Sequence, residues 1–201
     1  MLRRRLPLAR PLSFRLSRLG ERLAAYRPVL EGDDASLIWA AVSVVVVPSP
    51  DAVLLIRRAD RPGDPWSGHM ALPGGRREPA DADLIDTAIR ETFEEVGLSL
   101  GRAELLGSLD DVVPRTPVLP PVAVRPYVFG LSERPPLTPN PEVAAVRWVH
   151  LDHLLHPETY HSARLEIRGE PRDVPAYRLE EAIVWGMTER ILTGLLGQLR
   201  P

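Results

Sequence analysis

The stretch Ile38 to Val47 constrains this chain most. It reads Ile-Trp-Ala-Ala-Val-Ser-Val-Val-Val-Val, a near-continuous apolar run rich in β-branched residues. A strand with one wet face alternates apolar and polar side chains. This run does not alternate, so it predicts a central strand covered on both faces. The chain must then supply layers above and below a sheet. The apolar stretch containing this run is the longest in the sequence and falls well short of the roughly 18 residues of a membrane span.

The remaining pattern supplies those layers. Ala52 to Arg57 reads as a second strand after the turn Pro48 to Asp51, and Met70 to Leu72 as a short one. Ala82 to Val96 reads as a helix, because Leu84, Ala88, Glu91 and Glu95 share a face and Gly97 is a good stop. Strands are expected at Ala103–Leu109, Val122–Phe129 and Ala144–Val149, and a short helix at Leu151–Leu155. Arg164–Ile167 and Ala176–Leu179 are expected to pair. Glu180 to Leu196 is expected to be a final helix, with Ile183, Met187, Ile191 and Leu195 as its stripe. Strands mixed with few helices predict an α+β or layered α/β domain.

Composition removes several chemistries. The chain of 201 residues has no cysteine, which excludes thiol nucleophiles, Cys-ligated zinc and disulfides. Net charge is −2, giving no global attraction to nucleic acid. The charge is uneven, however. Residues 1–30 carry eight arginines against one acid, Glu21. This basic segment lacks the serine richness of a transit peptide and the apolar core of a secretory signal. A helix is expected from about Ser13 to Tyr26, docking on its own domain through Leu16, Leu19, Leu23 and Ala24. Residues 1–36 are read as an N-terminal extension and 37–201 as the functional domain.

Chemistry concentrates between Gly68 and Gly97. Glu91, Glu94 and Glu95 fall within five residues near a helix end, with Glu91 and Glu95 on one face. Like charges at that spacing repel, so the cluster asks for a counter-ion. A hard divalent cation such as Mg²⁺ or Mn²⁺ prefers such oxygen ligands; a solvated acidic face is the bland alternative. Upstream, Leu72-Pro73-Gly74-Gly75 is a strand end followed by a glycine turn, where backbone can approach a ligand closely.

Residues 75–98 resemble the Nudix box, G-x5-E-x7-R-E-U-x-E-E-x-G-U with U aliphatic. Gly75, Arg90, Glu91, Glu94, Glu95, Gly97 and Leu98 match. Two positions depart. Asp81 stands in place of the first glutamate, one residue further from Arg90 than usual, and Thr92 stands where an aliphatic residue is usual. Asp81 could equally cap the helix, with Asp83 as its rival.

The resemblance implies an α/β/α sandwich around a mixed sheet. It implies hydrolysis of a nucleoside diphosphate linked to another moiety. Glu91 and Glu95 match metal ligands, Glu94 a further ligand or water-orienting acid, and a carbonyl of Gly74 or Gly75 another ligand. Arg90 matches the arginine that orients the glutamates. Two stretches are similar to the coenzyme A pyrophosphatase branch: Ser67-Gly68-His69-Met70-Ala71-Leu72-Pro73-Gly74-Gly75 and Trp185-Gly186-Met187-Thr188. Asp64 occupies a position where that branch carries arginine, so Arg57, Arg58 or Arg61 is the expected phosphate binder. His69 is a candidate for the same phosphate, and Trp66 for stacking on a base. Glu142 is a candidate base or cap, and Asp110 and Asp111 candidate metal-reaching acids. The alternatives are a hydrolase of another nucleoside diphosphate derivative, such as ADP-ribose or a dinucleotide, and a non-catalytic binding module of the same fold. A cytoplasmic protein, a small nucleotide as partner, no membrane and a homodimer complete the expectations.

Overall fold

The computed structural model describes residues 11–32, 36–61, 67–114, 121–167 and 169–200. Asp64 and Trp66 lie outside these. The elements in chain order are α1 (Phe14–Ala25), β1 (Ile38–Val47), β2 (Ala52–Arg58), β3 (Met70–Ala71), β4 (Gly74–Arg76), α2 (Leu84–Val96), β5 (Leu105–Ser108) and β6 (Val122–Gly130). They continue with β7 (Val143–His150), α3 (Leu151–Leu155), β8 (Tyr160–Ile167), β9 (Glu170–Arg178), β10 (Ile183–Trp185) and α4 (Gly186–Leu199).

The apolar run is the centre of a seven-stranded mixed sheet. β1 pairs in parallel with β6 along its length, from Ile38↔Val122 to Val46↔Gly130. Its side chains split between two cores. Ala40, Val44 and Val46 join the cluster that includes Leu16, Leu19 and Leu23 of α1 and Ile191, Leu192, Leu195 and Leu196 of α4. Ala41 and Val45 join the cluster that includes Leu84, Ala88 and Val96 of α2. Both faces are therefore dry, which is why the run does not alternate. Helices above and below the sheet make the α/β/α sandwich.

One feature of the sheet places the site. β1 and β2 pair only beside their turn, at Val46↔Val53 and Val47↔Ala52, and then diverge. Residues 70–76 run into the gap. Met70–Ala71 pairs with β2, then the chain crosses at Pro73, and Gly74–Arg76 pairs with β1. This last strand was not foreseen, because three residues starting with two glycines carry no strand signal.

Several expectations need correction. The final helix starts at Gly186, not Glu180, since Ile183–Trp185 pairs with Ala176–Arg178 as a strand. Ile183 falls on the helical stripe by periodicity alone. Arg164–Ile167 and Ala176–Leu179 contribute to one hairpin but do not face each other: Arg164 opposes Asp173, and Ala176 opposes His161. The fifth strand starts at Leu105, after a single 3₁₀ turn at Arg102–Glu104. In α1, capped by Ser13, Leu16, Leu19 and Leu23 are buried but Ala24 is exposed. The leucines lie in the main core, so the core reaches beyond residue 37 into the N-terminal segment. Each contributes roughly 1.5–3 kcal/mol by burial.

Candidate active site

The box helix α2 is held at both ends by residues suited to the task. Asp83 is its cap: its side chain accepts from the N–H groups of Ile85 and Asp86. Gly97 closes it in the left-handed region at φ 68°. This settles the rivalry for the cap and frees Asp81 for another role. Asp81 is buried. Its carboxylate takes Arg90 Nε at 3.0 Å and Nη2 at 3.1 Å, the Thr87 hydroxyl at 2.8 Å and the Glu78 N–H at 2.9 Å. The Arg90 guanidinium and these further donors hold the Asp81 carboxyl well below the usual carboxylate range. Asp81 raises the Arg90 pKa in return. The extra residue between them is absorbed by the turn before the helix.

Arg90 distributes its remaining donors over the glutamates. Nη1 donates to Glu91 Oε1 at 3.0 Å and to Glu94 Oε2 at 3.2 Å, and Nη2 also reaches the Arg76 carbonyl at 3.0 Å. The arginine thus fixes one edge of the acidic face.

Two glycines seat the carboxylates. Gly74 has φ 152°, and a Cβ there would lie 2.6 Å from Val42 Cα, inside the β1 backbone. A Cβ on Gly75 would lie 2.6 Å from Glu91 Oε2. One glycine lets the turn touch the strand, and the other makes room for the acid. Glu95 reaches the same turn, its Oε2 accepting from Gly74 N at 2.9 Å.

Burial makes these acids reluctant anions. Glu95 is 5% exposed. Desolvation raises its pKa, the Gly74 N–H opposes that, Glu91 reinforces it, and the net value is about 7. Arg58 lies close enough to lower it, and Glu142 close enough to raise it. Burial also raises Glu91, against the ion pair with Arg90. A buried and a half-buried carboxylate beside glycine backbone fit a hard divalent cation, which prefers oxygen donors and relieves both penalties. The expected convergence of three acids is not met. Among the described residues, no three acidic or histidine side chains form a group that could hold a metal ion. Glu94 is more exposed and turned to Arg90.

The candidate substrate residues lie on β2 and on the segments beside it. Arg57 and Arg58 end β2, opposite Met70 and Val143 respectively. Arg57 is exposed. Arg61 Nη2 donates to Glu142 Oε1 at 3.0 Å, so Glu142 is engaged in a surface ion pair. The His69 carbonyl accepts from Arg58 N, and its ring lies 4.9 Å from that of Trp185. The Ser67–Gly75 and Trp185–Thr188 stretches, 110 residues apart, therefore touch.

Asp110 and Asp111 do not join the glutamates. Asp110 accepts from the Tyr26 hydroxyl and Val29 N, while Asp111 pairs with Arg125 at 2.8 Å and accepts from Glu31 N. Both tether the N-terminal segment. Sequence reading missed Ser43, fully buried in β1, whose hydroxyl donates to the Ala88 carbonyl and meets Thr92. A lone hydroxyl in an apolar run was the available signal.

Comparison with known proteins agrees with this architecture. The NUDIX domain matches over residues 38–168. An uncharacterized Schizosaccharomyces pombe protein is 41% identical over 119 residues, 57% of this chain, and the chain spans only 36% of that protein. A protein named as an uncharacterized Nudix hydrolase, NudL, of Photorhabdus laumondii is 32% identical over 170 residues, covering 80% of this chain and 84% of its own length. A crystal structure of a MutT/nudix family protein from Enterococcus faecalis superposes with a TM-score of 0.62 at 18% identity, over 84% of this chain and 64% of that one, a likeness of fold. The domain match over most of the chain and the relative matched along most of its length show that the chain belongs to the Nudix family, whose hydrolases split the pyrophosphate of nucleoside diphosphate derivatives.

Proposed function

We propose that the protein is a divalent-metal-dependent pyrophosphohydrolase whose substrate is coenzyme A or an acyl-CoA. The observation that carries the hydrolase reading is the buried Glu95 and half-buried Glu91, seated on Gly74 and Gly75 and flanked by Arg90. Mg²⁺ or Mn²⁺ bound there by Glu91, Glu95 and a glycine-turn carbonyl would neutralise the bridging phosphates and acidify a bound water. Arg90 holds Glu91 and Glu94 in place, and Asp81 holds Arg90. Glu95, buried and hydrogen-bonded at one oxygen, keeps its carboxylate directed at the turn. Among the described residues no helix is long and apolar enough to cross a membrane.

Support for the coenzyme A branch is narrower. It rests on the two stretches shared with that branch and on the His69–Trp185 contact that joins them beside β2. Arg57, exposed at the end of β2, suits a 3′-phosphate, for which a planar fork is the best partner. The test incubates coenzyme A, dephospho-coenzyme A, ADP-ribose and a dinucleoside polyphosphate with enzyme and Mg²⁺ or Mn²⁺, and separates the products. Coenzyme A should give 3′,5′-ADP and 4′-phosphopantetheine. Arg57→Ala should weaken coenzyme A by about 1.5–3 kcal/mol and leave dephospho-coenzyme A nearly unchanged. Much faster cleavage of ADP-ribose or the dinucleotide would overturn the coenzyme A assignment.

A further inference from the structure

Thr92 departs from the aliphatic residue usual at its place in the box, and the structure shows what answers it. Thr92 and Ser43 are both fully buried. Thr92 Oγ1 lies 2.7 Å from Ser43 Oγ and 2.7 Å from the Ala88 carbonyl, and Ser43 Oγ donates to that carbonyl at 3.0 Å. Two hydroxyls and one peptide oxygen form a closed cluster between β1 and α2.

Ser43 is also tied to the glycine turn. Its N–H donates to the Pro73 carbonyl at 2.8 Å, and the preceding residues Val42 and Ala41 pair with Gly74 and Gly75. One strand residue thus contacts both parts of the site: the turn through its backbone, the helix through its side chain. Thr92 follows Glu91 directly and precedes Glu95 by three positions. An apolar contact tolerates sliding of a helix along a strand, whereas a hydrogen bond is directional and steep in distance. Sliding α2 along β1 would strain the bond from Gly74 N to Glu95 Oε2 and shift Glu91 in the space left by Gly75.

We infer that Ser43 and Thr92 are positioning residues: their hydroxyl pair sets the height of α2 on β1 and so the placement of Glu91 and Glu95 against the glycine turn. This rests on the reading of those glutamates as the hydrolytic centre. Thr92→Val keeps the shape and removes the hydroxyl; Thr92→Ser keeps the hydroxyl; Ser43→Ala removes the partner. Three readouts separate the outcomes: hydrogen exchange at the Gly74 amide, Mn²⁺ affinity by calorimetry without substrate, and kcat against KM.

Thr92→Val and Ser43→Ala should each speed Gly74 exchange, weaken Mn²⁺ about tenfold and lower kcat about tenfold with KM within twofold, since small misplacement of reacting groups is costly. Thr92→Ser should restore all three. The inference is overturned if Thr92→Val leaves Gly74 exchange and Mn²⁺ binding unchanged, or if Thr92→Ser is as impaired as Thr92→Val. If the wild-type chain binds no Mn²⁺ and cleaves nothing, the hydrolase reading fails, and Gly74 exchange alone still decides whether the pair sets the helix.

Discussion

Glu95 and Asp81 are acids driven in opposite directions by their surroundings. Glu95, buried beside another carboxylate, titrates near pH 7 rather than 4.5. Its folded form holds a proton that the unfolded chain has released. Stability of the metal-free protein should therefore fall as pH rises from about 4.5 to about 7, by roughly 3 kcal/mol, and level off above. Glu95→Gln should flatten that slope in pH-dependent denaturant unfolding. The same substitution should lower turnover about 10²-fold at saturating Mg²⁺, because it removes the charge proposed to hold the metal. Unchanged turnover would refute the ligand assignment. Asp81 behaves inversely. Arg90 depresses its pKa, so its contribution is present above the usual carboxylate value and lost as pH falls below it. Asp81→Asn leaves Arg90 short of a buried partner and should cost about 3 kcal/mol, read from the shift in denaturation midpoint.

At the scale of elements, the turn Gly74-Gly75 and the helix α2 act as one unit, and the two glycines serve different neighbours. A Cβ on Gly74 meets β1 backbone that cannot yield, in a backbone conformation that L side chains rarely adopt. Gly74→Ala should destabilise the fold by about 3 kcal/mol or more. The three atoms nearest a Cβ on Gly75 all belong to the Glu91 carboxylate, the end of a flexible side chain. Gly75→Ala should leave the melting temperature within a few degrees of wild type and still abolish most activity by displacing that carboxylate. Paired melting curves and rate assays on the two variants test the division. Equal loss of stability in both would contradict it. The helix starts at Leu84 rather than at the expected Ala82, whereas its end was legible because its signal, Gly97, is local. The choice between Asp81 and Asp83 was not, since either aspartate suits a cap and only the position of Arg90 decides.

For the whole molecule, the N-terminal helix matters more than its sequence position suggests. Leu16, Leu19 and Leu23 fill the core with α4, and Arg22 donates to the carbonyls of Gln198 and Arg200 at the end of α4. Tyr26, Val29 and Glu31 are then strapped to Asp110 and Asp111. Leu19→Ala should cost about 2–5 kcal/mol in equilibrium unfolding, as for other buried leucines. A cost under 1 kcal/mol would mean the helix is only loosely docked.

What depends on neighbours a few residues away could be read from the chain alone. The unbroken apolar run demanded cover on both faces of β1. The box helix, its stop at Gly97 and the shared face of Glu91 and Glu95 followed from 3.6-residue periodicity. The amphipathic leucines of α1 announced a docked helix. Tertiary structure decided whatever needed a partner far along the chain. Ile183–Trp185 is a strand because Ala176–Arg178 offers backbone groups to it, although its pattern suited a helix equally well. Gly74–Arg76 is a strand because β1 and β2 diverge and leave it a seat. Glu94 turns to Arg90, and Asp110 and Asp111 turn to the N-terminal segment, since each carboxylate takes the nearest donors that folding supplies. Local pattern fixes which faces are apolar; hydrogen-bond partners are chosen only when distant segments meet.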